Sequence, residues 1–251
     1  MKIDLFAFAL RNVFRHRARS AGTLAAIAIG VAGLILAGGF VKDIFIQLGE
    51  AIIHSQTGHI QITAKGFRDG KSREPDKYLI HSPTELGKQI KALSPSIAFT
   101  MARLNFAGVL NNGRRDLGII GEGIEPDAEQ KAGTFLNYID GRPLNASDTG
   151  SVVVGEGVAK SLGLRVGDRI TLVITLAAGA VNTLDFELVG IFQSFSRDFD
   201  ARAVRIPLPA AMELLDTQAA NVIIAMLNHT EDTNATVTSG GQYRSKYPER
   251  G

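Results

Sequence analysis

Residues 21–41 read AGTLAAIAIGVAGLILAGGFV, an apolar stretch without one charged side chain. A helix of this length rises roughly 31 Å, close to the hydrocarbon thickness of a bilayer. In lipid every backbone amide has to find its partner inside the segment, which a helix achieves and a loop does not. The flanks differ in charge. Lys2, Arg11, Arg15, Arg17 and Arg19 precede the stretch against Asp4 alone, whereas Lys42 and Asp43 behind it cancel. The positive-inside rule therefore predicts a cytoplasmic N-terminus over residues 1–20, a membrane helix over 21–41, and everything after Val41 on the far side. A cleaved signal peptide ending near Ala37-Gly38-Gly39 fits less well, because its apolar core is shorter, roughly 7–15 residues.

Small residues recur inside the span. Gly22, Ala26 and Gly30 stand at every fourth position, and Gly33 and Ala37 lie on a neighbouring face. Such spacing lets a second helix approach closely in lipid, so this helix expects packing partners beyond its own chain. Working outward, residues 3–16 place Ile3, Phe6, Leu10, Val13 and Phe14 on one stripe opposite Arg11 and Arg15. That pattern predicts an amphipathic helix at the cytoplasmic interface. Beyond Val41 the helical period persists through Ile44, Leu48 and Ile52, which predicts a stalk over 42–56 stopped by Gly58.

The remainder alternates strand and helix signals. His59–Thr63 reads as a strand, and Ser82-Pro-Thr-Glu85 as a capping box opening a helix. Two strands over 97–104 and 106–110 lead to a hairpin at Asn111-Asn112-Gly113. The block SVVVGEGVAKSLGLRVGDRITLVI, 151–174, reads as strand, short helix ending at Gly163, turn and strand. Strand, helix and strand follow over 203–206, 207–216 and 221–227.

Composition narrows the function. The chain has 251 residues, a net charge of +2 and no cysteine. With the positive charges concentrated before Ser20, the remainder is slightly acidic, which argues against a nucleic-acid partner. No disulfide, thiolate nucleophile or cysteine-based metal site can form. Gly155-Glu-Gly-Val-Ala-Lys160 lacks the third glycine of a dinucleotide-binding turn and reads better as a tight strand-to-helix turn. Among the histidines only His54 and His59 are near each other. Asp198 and Asp200 sit beside Arg197 and Arg202 as self-neutralising loop charges. No set of residues assembles an enzyme, and no cofactor or metal is expected.

Taken together, four segments resemble the permease subunits of bacterial type VII ABC systems, the lipoprotein-releasing, MacB-type and FtsX-like permeases. They are LFAFALRNVFRHRARSAGTLAAIAIGVA, TGHIQITAKGF, VVVGEGVAKSLGLRVGDRITL and FELVGIFQSFSRDFDARAVRIPLPAAMELL. The resemblance implies an α+β fold in which one transmembrane helix and stalk lead to a split periplasmic domain. Its membrane-proximal half would combine 57–104 with 203–251, and a β-rich lobe of 105–202 would be inserted between them. It also implies a cytoplasmic ABC ATPase, a second permease copy or homologue, the inner-membrane bilayer, and a periplasmic lipoprotein or carrier as partners. Family permeases continue into three further membrane helices, expected from a longer chain or from another polypeptide. A membrane-anchored periplasmic adaptor independent of any ATPase is the alternative reading.

Overall fold

The computed structural model describes residues 17–64, 67, 78–133, 136–176 and 179–238. The chain forms two units, Met1–Glu50 and Ala51–Gly251. Helix α1, Arg17–Ile52, makes up the described part of the first. It is long and apolar enough to cross a membrane, and no residue of it is buried: Leu24, Leu34 and Leu36 stand open. The amphipathic helix expected over 3–16 lies outside the described residues.

The second unit begins with the last residues of the helix. Ile53–Thr57 widen its final turn, so that Gly58 N donates to Ile53 O, five residues back, at 2.7 Å. Gly58 then turns the chain away with φ +65° and ψ −178°, a backbone region essentially reserved for glycine. The elements that follow are β1 (Ile60–Ile62), α2 (Pro83–Leu93), β2 (Ile97–Asn111), β3 (Asp116–Ile124), α3 (Pro126–Ala132) and β4 (Asn137–Gly141). After them come β5 (Ser151–Gly155), α4 (Glu156–Leu162), β6 (Arg169–Thr175) and β7 (Val181–Gln193). The single turn α5 (Arg197–Asp200), β8 (Ala203–Pro207), α6 (Leu208–Leu214) and β9 (Val222–Leu227) complete the set. The fold is α+β.

β2 belongs to two sheets. Its first half pairs antiparallel with β9, which pairs with β1, and α2 covers this face through Ile90 against Ile97, Ile223 and Leu227. Its second half pairs with β3 and β6. From there β3 runs parallel to β8, β8 antiparallel to β5, β5 parallel to β7, and β7 antiparallel to β6. These pairings close into a ring of six strands, with β4 added on β7. Alternate residues fill the interior, as the two-residue period of a strand requires: Leu104, Phe106 and Leu110 of β2, Val152 and Val154 of β5, and Ile170, Leu172 and Ile174 of β6. Val158 and Leu162 of α4 and Leu208, Ala211 and Leu214 of α6 pack onto the same core.

Gly121 sits directly across from Phe106 in the β2–β3 ladder, and a Cβ there would overlap the phenyl ring. Gly121→Ala is therefore expected to cost about 1–3 kcal/mol through overpacking. Denaturation followed by circular dichroism checks it, and Phe106→Leu in the same chain should recover part of the loss.

Several local expectations need correction. Ser82 adopts φ +59° and makes no side-chain cap; its backbone carbonyl instead accepts from Glu85 N and Leu86 N. A capping side chain needs its residue in the extended region, which the left-handed conformation of Ser82 forbids. The two strands expected at 97–104 and 106–110 are one, with an irregularity between Ile97 and Phe99. Asp200 is not neutralised by its arginine neighbours: its carboxylate is buried and accepts from Ser194 N at 3.0 Å through both oxygens. Gly155 and Gly157 face the backbone of Asp200 and Ala201, where a Cβ would collide, so these glycines let α5 approach α4.

On the surface, Arg142 grips Asp148 with two hydrogen bonds of 2.6 and 2.9 Å and pins the loop between β4 and β5. The guanidinium hydrogen bond holds the Asp148 carboxyl below its ordinary value, against a smaller opposing effect of burial. A lowered carboxyl stabilises the fold above its unfolded pKa and loses that contribution as pH falls through the folded one. With Arg142 half exposed, solvent screening leaves about 0.5–1 kcal/mol. Asp148→Asn should thus melt lower at neutral pH, and the gap should close below about pH 4.

Candidate functional site

A helix leaves its last four carbonyls without internal partners, and burying such an end requires outside donors. In the second unit those donors are two buried arginines. Arg205, on β8, donates from Nη2 to the Ser55 carbonyl at 2.7 Å. Arg103, on β2, donates from Nη1 to the Gln56 carbonyl at 2.5 Å. A third carbonyl, that of Thr57, accepts from Gln61 Nε2 at 3.0 Å. Cations at the C-terminal end of a helix also complement its dipole, and more strongly where water is excluded.

Neither arginine is left as an uncompensated charge. Arg205 Nε meets Glu122 Oε2 at 2.7 Å, and Arg103 Nε meets Glu129 Oε1 at 2.7 Å. All four side chains are buried, as is Ser55. Phe192 places its ring under the Arg205 guanidinium, 5.8 Å from Cζ to the ring centre. Around this cluster, burial raises the Glu125 carboxyl, opposed by the hydrogen bond from Ala102 N. Burial likewise raises the Tyr138 phenol, with the positive charge of Arg205 opposing it.

Two imidazoles flank the joint. His54 Nδ1 bonds the Ala132 carbonyl at the end of α3, which requires the proton on Nδ1. His59 Nδ1 accepts from Leu227 N, and its Nε2 bonds Thr230 Oγ1 at 3.1 Å. The rings meet edge to face, 5.7 Å apart. Residues 54–57 are thus held from α3, β2 and β8 at once, an arrangement suited to passing displacement between a helix end and a sheet.

The residues singled out from the sequence lie elsewhere. Gly22, Ala26, Gly30, Gly33 and Ala37 are exposed on α1, and nothing lies within 4 Å of a Cβ placed on Gly22, Gly30 or Gly33. Arg17 and Arg19 open α1, while Arg11 and Arg15 lie outside the described residues. The joint itself escaped sequence reasoning. Its one signal is a lone charge inside each apolar run: Arg103, Glu122 and Arg205.

A family model described as the MacB-like periplasmic core domain matches residues 20–239. This chain belongs to that family. The resemblance drawn from the four sequence segments is thereby met, as is the α+β fold with its long apolar N-terminal helix. Among relatives, the lipoprotein-releasing system transmembrane protein LolE of Haemophilus influenzae is 30% identical over 160 residues, covering 61% of this chain and 35% of that protein. The corresponding LolC of Neisseria meningitidis serogroup B is 28% identical over 190 residues, covering 68% and 40%. The chain therefore spans about 35–40% of the length of these relatives. Two solved structures share the fold. The periplasmic region of MacB from Actinobacillus actinomycetemcomitans aligns with TM-score 0.52 and 15% identity over 74% of this chain and 82% of that one. The extracellular domain of the noncanonic ABC-type transporter YknZ from Gram-positive bacteria aligns with TM-score 0.52 and 10% identity over 76% and 94%.

Proposed function

We propose that this MacB-like chain is the N-terminal part of an ABC-transporter permease of the lipoprotein-releasing or MacB type, acting in the bacterial inner membrane. Residues 21–41 cross the bilayer with the basic segment through Arg19 in the cytoplasm, and 42–56 form the stalk. A cytoplasmic ABC ATPase supplies force through further membrane helices. A second permease copy or homologue packs against the face of Gly22, Ala26 and Gly30 and its neighbour bearing Gly33 and Ala37. Within the folded unit, 57–104 and 203–251 would form the membrane-proximal part and 105–202 the inserted lobe, to whose strands β3 and β5 the strand β8 is paired. The lobe engages a periplasmic lipoprotein or carrier. No step on this pathway is catalysed by the chain's own side chains.

The observation that carries this reading is the seating of the Ser55 and Gln56 carbonyls on buried Arg205 and Arg103. A membrane anchor that merely tethers has no need to bury its final turn among charges, whereas a stalk that pulls does. Alkaline phosphatase fused behind Leu227 is expected to be active and a fluorescent protein at the same site dark. Joined to the membrane helices of a lipoprotein-releasing permease, the chain should co-purify with that system's ATPase. An inactive phosphatase with a fluorescent protein bright at the same site, or no ATPase in the purified complex, overturns the assignment.

A further inference from the structure

Two groups in the joint each stand one small movement from a bond they do not make. Glu129 Oε2 is buried and accepts no hydrogen bond among the described residues. Arg205 Nη1 lies 3.8 Å from it, beyond donor distance. The guanidinium is a rigid planar fork, and its other positions are taken. Nε is fixed to Glu122 and Nη2 to the Ser55 carbonyl, both at 2.7 Å. Glu129 in turn is anchored only through Oε1, which receives Nε and Nη2 of Arg103.

We propose that Glu129 and the Ser55 carbonyl compete for Arg205, which makes the joint a two-position latch. In one position, the one seen here, Arg205 holds the stalk end and Glu129 Oε2 goes unpaired. In the other, the guanidinium tips about its bond to Glu122, reaches Glu129 Oε2 and releases Ser55. Each position leaves one buried acceptor unsatisfied, so neither is favoured overwhelmingly and a modest pull shifts the balance. Arg103 keeps Glu129 in place throughout, and Glu122 is the pivot. The latch rests on the reading of residues 51–57 as the joint that passes force.

Hydrogen exchange of the full chain in detergent tests it, read at the amides of 53–58. In Glu129→Gln an oxygen remains for Arg103, but the amide nitrogen turned to Arg205 can accept nothing from it. The latch is then kept on Ser55, and exchange at 53–58 should slow by at least about fivefold. A Glu129 that only props the fold through Arg103 gives the opposite sign, so faster or unchanged exchange overturns the proposal. A second measurement needs no change at Glu129. The chain has no cysteine, so spin labels at Ile53→Cys and Arg114→Cys report one distance. Two distances are expected with Glu129 present, and a single one overturns the latch. Both readouts are independent of ATPase and cargo, so a failed latch leaves the permease assignment standing, and a failed assignment leaves the latch measurable.

Discussion

Arg205→Ala is expected to remove about 3–5 kcal/mol of folding stability. Three deficits arise together. Glu122 stays buried without its cation, the Ser55 carbonyl loses its donor, and a fully buried side chain leaves a cavity beside Phe192. For a domain of this size that corresponds to a melting temperature lower by roughly 8–15 °C, read by circular dichroism in detergent. The double variant Arg205→Met with Glu122→Leu removes both charges and fills the space, so it should recover most of the stability. It cannot restore a donor to Ser55. A double variant that folds well yet exchanges quickly at 53–58 separates the fold's need for this pair from the stalk's.

Gly58→Ala should cost about 3 kcal/mol or more, for two reasons that add. The backbone at φ +65° and ψ −178° is strained for any side chain, at about 1–3 kcal/mol. A Cβ would also overlap Cγ2 of Ile224, fully buried in the middle of β9. Ile224→Ala deletes Cγ2 and leaves the dihedral strain, so in that background Gly58→Ala should cost only the backbone part. Equal losses from Gly58→Ala in the presence and absence of Ile224→Ala would assign the whole effect to the backbone.

The long apolar helix and its stop were legible because both are local. An uncharged run of span length announces itself, and Gly58 stands where the helical period ends. Turn glycines were equally plain: Gly113, Gly163 and Gly167 all take positive φ where hairpin, helix end and turn were expected. The joint was not legible, since its bonds connect residues 26, 83 and 150 positions apart and no window of sequence contains both ends. Arg103 and Arg205 could have been flagged as lone cations in strands otherwise apolar, where burial demands a partner. Which acid Arg205 finds depends on the β3–β8 pairing, a parallel contact between distant segments that sets it opposite Glu122. Ser82 misled in the other direction: the residue type suits a cap, but tertiary placement turned its backbone elsewhere.

β2 changes neighbours at one point. Arg103 is opposite Val222 of β9, and the next residue, Leu104, is opposite Gly123 of β3. The side chain that receives Gln56 is thus fixed at the middle of a 15-residue rod, about 50 Å from end to end. Extended backbone yields readily to bending across its face but hardly at all along its axis. Six closed strands suppress the bending. On the proposed reading, a lengthwise shift at Arg103 would pass along β2 to the Asn111–Asp116 tip, while the closed strands would damp sideways motion.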